Sequence, residues 1–501
     1  DDTPFIYGFG LASINTFIRY WISIFVEFGG NWVRKVLLSV LILLLSTLLI
    51  SLVSAQTILW EHTWGGTDDD YFLGVSVDRF GNSYAVGYTY SFGDGGGYED
   101  AFIAKFGSDG SLLWDRTWGG DDEDEAEGVA VDDSGNAYMT GYTYFGAGGT
   151  DAFIAKFYAG GSLAWDLTWG WIHDEEATDI ALDKDGNIYI VGQTSSFGAG
   201  DMDAFIAKFD SSGGLIWDRI WGGSSDDWGY GVSVDEDGNV YIVGSTTSFG
   251  AGANDAFIAK FSSNGDLIWD RTWGTSSIEG AYGIAVDVHG NVYVTGNTQA
   301  YHLTRLEDVF IAKFSSDGNL IWDLVWGGSD RDYGEDIDVD DAGNLYVVGS
   351  TFSFGNKGFL LRLDSDGNLL RQVAWGGTGA DHLVSVDVSG AFLCAAGDTI
   401  SRSRTVRDIA GTTLSILATI SDPAATPADP SASVGDPAAT IGYPSATVDN
   451  VVNYDAAILQ FKILLPVGGE ITTPNSQKGW RQITLMTVSY THLTLPTTER
   501  V

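Results

Sequence analysis

A tryptophan–glycine step recurs seven times at almost constant spacing, and this repetition limits the possible folds more than any other feature. The tryptophans are Trp64, Trp118, Trp169, Trp221, Trp273, Trp326 and Trp375, separated by 54, 51, 52, 52, 53 and 49 residues. Self-similarity at such a period marks an array of units, each too small to bury its own apolar surface. One unit, within Tyr230–Gly274, reads YGVSVDEDGNVYIVGST, then SFGAGAN, then DAFIAKFSSNGDLIWDRTWG. It contains four strand-like runs: GVSVD (a), NVYIVGST (b), DAFIAKF (c) and LIWDRTW (d). Each run is rich in β-branched or aromatic residues and is bounded by Gly, Asn, Asp or Ser.

The a–b connections follow D-x-x-G-N, as in Asp132–Asn136, Asp183–Asn187, Asp235–Asn239 and Asp287–Asn291. Aspartate suits the first position of a type I turn, and the glycine takes the positive φ that closes a hairpin. The c–d connections, SSNGD and SSDGN, carry the same chemistry. No proline lies between residues 5 and 422, as paired strands that need every N–H donor require. Four antiparallel strands per unit predict an all-β, seven-bladed β-propeller; the competing β-solenoid has shorter coils without two hairpins per turn. The chain enters the array at a strand d (Ile58–Trp64) and leaves after a strand c (Asp455–Phe461). The N-terminal strand d is therefore expected to complete the last a-b-c set and close the ring.

The repeat resembles the SBBP β-propeller family. The resemblance rests on Val286-Asp287, Gly290-Asn291-Val292-Tyr293-Val294-Thr295-Gly296 and Asp255-Ala256-Phe257-Ile258-Ala259-Lys260. It covers residues 57–397 and 455–461, implies a secreted or surface propeller, and brings no catalytic residues with it.

The ends read differently. Residues 36–55 form an apolar run behind Arg34 and Lys35 and close on Val53-Ser54-Ala55. This is the order of a secretory signal, and the run is also long enough for an N-terminal anchor. Residues 1–33 read as upstream, non-native translation, 34–55 as signal or anchor, and 56–465 as the propeller. Residues 398–454 read as a Pro/Ala/Ser/Thr-rich excursion within the last blade, with a frameshift at Ser401–Arg407 as the rival explanation. Residues 466–487 read as a truncated linker in which Pro466–Glu470 resembles the approach to a C-terminal surface anchor. Residues 488–501 include Val488–Thr498, which resembles translated sequencing-adapter sequence. A monomer in a secreted or cell-surface location is expected, touching membrane only through such an anchor.

Charge narrows the function. With 67 Asp+Glu against 25 Lys+Arg the net charge is −42, which excludes a nucleic-acid binder working through a basic surface. The single cysteine, Cys394, excludes a disulfide framework and multi-cysteine metal sites. Alternating hairpins place all d–a and b–c loops on one face, and these are the longer, more variable connections. Acid collects there: Asp68, Asp69 and Asp70; Asp121, Asp122, Glu123, Asp124 and Glu125; Asp174, Glu175 and Glu176; Asp226 and Asp227; Asp330, Asp332, Glu335 and Asp336. Such carboxylates are the hard oxygen ligands of Ca²⁺; solubility and charge screening are the alternative reading. The Trp-x-Arg-x-Trp rows of strand d predict arginines between paired indoles. The strand-c lysines (Lys105, Lys156, Lys208, Lys260, Lys313) are expected to pair with a blade carboxylate such as the Trp-Asp aspartates of strand d (Asp115, Asp166, Asp218, Asp270, Asp323). No phosphate loop, nucleophile elbow or H-E-x-x-H motif occurs. The expected function is a binding or structural module for a protein or glycan. A quinoprotein-like dehydrogenase or glycan-processing propeller is the enzymatic alternative, and no catalytic residue is assigned.

Overall fold

The computed structural model describes residues 57–93, 98–144, 149–300, 306–377, 379–399, 406–408, 413–414 and 455–462. The signal or anchor, both terminal tails and most of the Pro/Ala/Ser/Thr-rich segment lie outside these residues. Within them the protein is all β. Strand a of the third blade is Glu175–Leu182, b is Ile188–Thr194, c is Asp203–Phe209 and d is Leu215–Trp221. The fourth blade repeats this as Asp227–Val234, Val240–Thr246, Asp255–Phe261 and Leu267–Trp273. Each blade is an antiparallel sheet in the order a-b-c-d.

Six such blades are built from consecutive strands between Asp70 and Trp375, which corrects the expectation of seven. The seven Trp-Gly steps count strand-d ends, and the first of them, Trp64, has no a-b-c set preceding it in the chain. Strand Thr57–Trp64 instead lies in a composite sheet with Asp455–Lys462, Phe392–Thr399 and Ser385–Ser389, in that spatial order. The composite is no further copy of the unit: its two ends come from opposite ends of the chain, and its innermost strand has only five residues. It sits between blades one and six, where Ser385 Oγ accepts from Val75 N and donates to Asp336 Oδ2. The sixth blade departs from four strands as well. Val406–Asp408 pairs with its strand d, and Thr413–Leu414 adds a further strand, so part of the expected excursion extends this sheet.

The turn chemistry holds. In the fourth blade Asp235 Oδ1 accepts from Asp237 N at 3.0 Å and Asn239 N at 2.9 Å, while Gly238 takes φ 78°. Strand a carries a bulge, between Gly229 and Gly231 in this blade, which bends the strand and leaves N–H groups outside the ladder.

The core lies between blades. One buried cluster joins Tyr189, Val191, Ile206, Trp217 and Trp221 of the third blade to Val240, Ile242, Phe257 and Phe261 of the fourth. Tryptophans ending strand d pack on the strand-c phenylalanine of the following blade: Trp118 on Phe153, Trp221 on Phe257 and Trp273 on Phe310, with centroids 3.9–4.1 Å apart. The indole N–H of Trp64, Trp118 and Trp221 reaches the next blade's Trp-Asp aspartate, Trp64 to Asp115 at 3.0 Å and Trp221 to Asp270 at 3.3 Å, while Trp326 donates to Gln372 Oε1. That aspartate is therefore an inter-blade acceptor, and Lys208 and Lys260 find the expected blade carboxylate at the a–b turn instead, Asp183 and Asp235. Lys208 lies 3.6 Å from Asp183 of the a–b turn, over the Tyr189 ring at 4.8 Å, and donates to Ser263 O of the fourth blade at 3.4 Å. The strand-d arginines also differ from expectation. Arg219 covers one indole, Trp217, at 5.4 Å and donates to Gly265 O in the next blade.

Candidate functional site

Two regions gather chemistry, the d–a/b–c loop face and the axis. On the loop face each acidic row divides by depth. The member that opens strand a is buried: Asp70, Asp124, Glu175, Asp227 and Asp332 are at most 1% exposed. These residues hold the loops. Asp70 Oδ1 accepts from Thr89 Oγ1, and its Oδ2 accepts from Gly66 N at 2.7 Å and Ser91 Oγ at 2.8 Å. Asp332 does the same with Thr351, Gly328 and Ser353. A buried carboxylate satisfied in this way is a loop anchor. The outer members Asp68, Asp121, Asp122, Asp174 and Asp330 are exposed, and Asp69 and Asp226 are half-buried. Among the described residues no three His, Cys, Asp or Glu side chains converge as a metal cluster.

Between these acids stand aromatic side chains that the sequence reading did not single out. Tyr90, Phe92, Tyr98, Tyr144, Trp171 and Phe249 are each at least 43% exposed, Trp171 reaching 60%. All lie in d–a or b–c connections. The opposite face exposes fewer large apolar groups at its turns, Phe80, Tyr158 and Val288. The recurring S-F-G of the b–c loop (Ser91-Phe92-Gly93, Ser248-Phe249-Gly250) was the available signal.

The axis is an acid-lined cavity of about 560 Å³ bounded by the strands a. Glu127, Asp179, Glu335, Asp336, Asp338 and Asp387 line it, and among the described residues no Lys, Arg or His does. Several of these carboxylates bridge neighbouring blades. Asp179 accepts from its own blade's Ile180 N and from Val232 N of the next, at 2.7 and 2.8 Å. Asp336 and Asp338 reach Val386 N and Val388 N, and Asp387 reaches Val77 N and Ser76 Oγ. The bulged strands a thus regain acceptors for their unladdered N–H groups. Burial pushes Glu127 up to about 8, Asp179 and Glu335 to about 7, and Asp336 to about 6. Burial, and then the charge of Asp387, hold Asp338 well above the usual carboxylate range. Near this ring His382 donates toward Asp398 at 3.3 Å, a hydrogen bond that raises the imidazole above its ordinary value. Among the described residues no helix is long and apolar enough to cross a membrane.

Comparisons with known proteins agree with the repeat. The family described as "Beta-propeller repeat" (SBBP) matches residues 117–146, 171–198, 216–250, 280–304 and 325–353. A β-propeller domain of unknown function (DUF5122) matches residues 236–267. Regulatory protein FlaEY of Caulobacter vibrioides is 25% identical over 196 residues, 34% of this chain and 20% of its own; the match thus spans about a fifth of that relative. Among solved structures, the Pan2 WD40 domain of Neurospora crassa is 9% identical, covering 73% of this chain and 97% of its own, with a TM-score of 0.43. Puromycin hydrolase, an enzyme, is 14% identical and covers 74% of this chain and 58% of its own, with a TM-score of 0.43. The chain is a β-propeller repeat protein that carries SBBP repeats between residues 117 and 353.

Proposed function

We propose that the chain is a secreted or cell-surface binding module without catalysis, engaging a protein or glycan partner through its d–a/b–c loop face. The observation that carries this reading is the concentration of exposed aromatic rings among exposed carboxylates on that face: Tyr90, Tyr98, Tyr144, Trp171 and Phe249 beside Asp68, Asp121, Asp122 and Asp174. Aromatic rings stack on sugar faces or anchor a protein partner, and carboxylates accept hydroxyl or ammonium donors. The strong negative charge speeds encounter with basic partners and opposes acidic ones. Secretion rests on the residue 34–55 signal pattern.

The test is binding of the purified chain to arrays of glycans and of basic surface proteins. Trp171→Ala and Phe249→Ala are compared with Phe80→Ala on the opposite face. The expected result is a partner whose affinity falls at least tenfold with the loop-face substitutions and is unchanged by Phe80→Ala. A partner that binds all three variants equally, or none bound by the intact chain, would overturn the reading.

A further inference from the structure

At each blade junction the first residue of one strand c meets the first residue of the next strand a, beside the glycine that follows the strand-d tryptophan. Between blades three and four these residues are Asp203 and Asp227, 1% and 0% exposed. Asp203 Oδ2 accepts from Ala199 N and Gly200 N at 2.8 and 3.0 Å. Asp227 Oδ2 accepts from Gly223 N and Ser248 Oγ, both at 2.7 Å. The other Asp203 oxygen, Oδ1, is buried without a hydrogen-bond partner. It faces the space beside Gly222, where an added Cβ would lie 2.8 Å from Asp227 Oδ2 and closer still to Asp203 Oδ1. Two carboxylates thus converge beside a glycine whose missing Cβ lets Asp203 Oδ1 lie against its backbone. The same approach recurs for Asp151 with Glu175 at Gly170, Asp255 with Glu279 at Gly274, and Asp308 with Asp332 at Gly327.

One junction shows what this space takes. Where blade six meets the composite sheet, strand c opens with Lys357 in place of aspartate. Its ammonium donates to Gly377 O and lies 3.5 Å from Asp381 Oδ2. Asp381 is 0% exposed and accepts from Gly377 N at 2.9 Å, the role Asp227 plays toward Gly223. The chain thus supplies its own cation at this junction. Between blades three and four it supplies a second carboxylate, and two buried negative charges side by side without a cation are strongly unfavourable.

We propose that the space between Asp203 and Asp227 is a Ca²⁺ site, in which the ion takes the place that the Lys357 ammonium holds at the sixth junction. Asp203 Oδ1, Asp227 Oδ2 and the Gly223 carbonyl supply hard oxygen ligands, and water from the half-exposed side of Gly222 and Gly223 completes a shell of six to eight. The proposal is independent of the surface-binding reading.

The experiment uses the full chain stripped with chelator and titrated with Ca²⁺ by calorimetry. In parallel, Tb³⁺ emission is excited through tryptophan, since Trp221 adjoins Gly222. The expected result is bound Ca²⁺ that raises the melting temperature and displaces the Tb³⁺ signal. Asp203→Lys should bind one equivalent fewer, and Gly222→Ala, whose methyl group would collide with Asp203 Oδ1 and push it aside, should weaken that site at least tenfold. No Ca²⁺ or Tb³⁺ uptake up to millimolar concentration by the intact chain would overturn the proposal. So would unchanged stoichiometry in Asp203→Lys, or unchanged affinity in Gly222→Ala. If Asp203→Lys does not fold, the intact chain and Gly222→Ala decide. A pair that instead shares a proton would show proton release with rising pH and no response to the metal, which also overturns the proposal.

Discussion

Removing one inter-blade ring should weaken the junction between blades three and four by an amount the geometry sets. Trp221 is 6% exposed, stacks on Phe257 at 3.9 Å with 19° between the planes, touches Phe249 at 5.4 Å, and donates to Asp270 at 3.3 Å. A buried tryptophan removes about 150–250 Å² from water, roughly 4–6 kcal/mol at about 25 cal/mol per Å². Trp→Ala changes in cores cost about 3–5 kcal/mol because the cavity does not fully collapse. Asp270 is exposed, so loss of the indole N–H alone costs only about 0.5–1 kcal/mol. Trp221→Phe should therefore lose about 1–2 kcal/mol and Trp221→Ala about 3–5 kcal/mol, while Ile216→Ala, on the half-exposed outer strand, should stay within about 0.5 kcal/mol. Guanidinium unfolding followed by far-ultraviolet circular dichroism reads these differences. Limited proteolysis adds a local readout, because repeat arrays lose cooperativity at a weakened interface. If Trp221→Ala unfolds within about 1 kcal/mol of Trp221→Phe, the claim that the stacked ring holds adjacent blades together fails.

Lys208→Met should lose about 1–3 kcal/mol, because it removes the partner of Asp183 and the contact over Tyr189, while Asn187 and Tyr189 still donate to Asp183; a melting temperature equal to that of the parent would refute this. Asp179→Ala, which strands Val232 N–H inside the ring, should cost about 1–3 kcal/mol, and more than Asp179→Asn, which keeps one acceptor; equal losses would argue against the bridging role. The axial carboxyls and His382 set the pH response. Their folded values are raised above the unfolded ones, so the folded state holds protons more tightly, and their contribution is complete near pH 4 and fades as pH rises toward 8. Melting temperatures in chelator should fall from pH 5 to 8, and Glu127→Gln should flatten that slope; a stability that rises over this range would contradict the assignment.

Much of the blade was readable along the chain. The D-x-x-G-N turns, the order of the four strands and the inter-blade aromatic face depend on local rules: turn glycine, period-two alternation and the absence of proline. What strand c's lysine touches was not readable, because its partners Asp183 and Ser263 come from a different turn and a different blade. Nor was the depth of the loop acids. Asp226 and Asp227 are adjacent and chemically alike, yet only Asp227 begins a strand and turns inward.

The sequence by itself determined that the chain is a repeated four-stranded β unit, because hairpin turns and strand periodicity act over a few residues. Order along the chain also placed the N-terminal strand d beside the last strand c, as the composite sheet shows; only the tertiary structure decided how many blades those repeats make, because that depends on contacts hundreds of residues apart. It alone brought Asp203 to Asp227 and Lys357 to Asp381, since a junction is made by two blades and no single repeat encodes it.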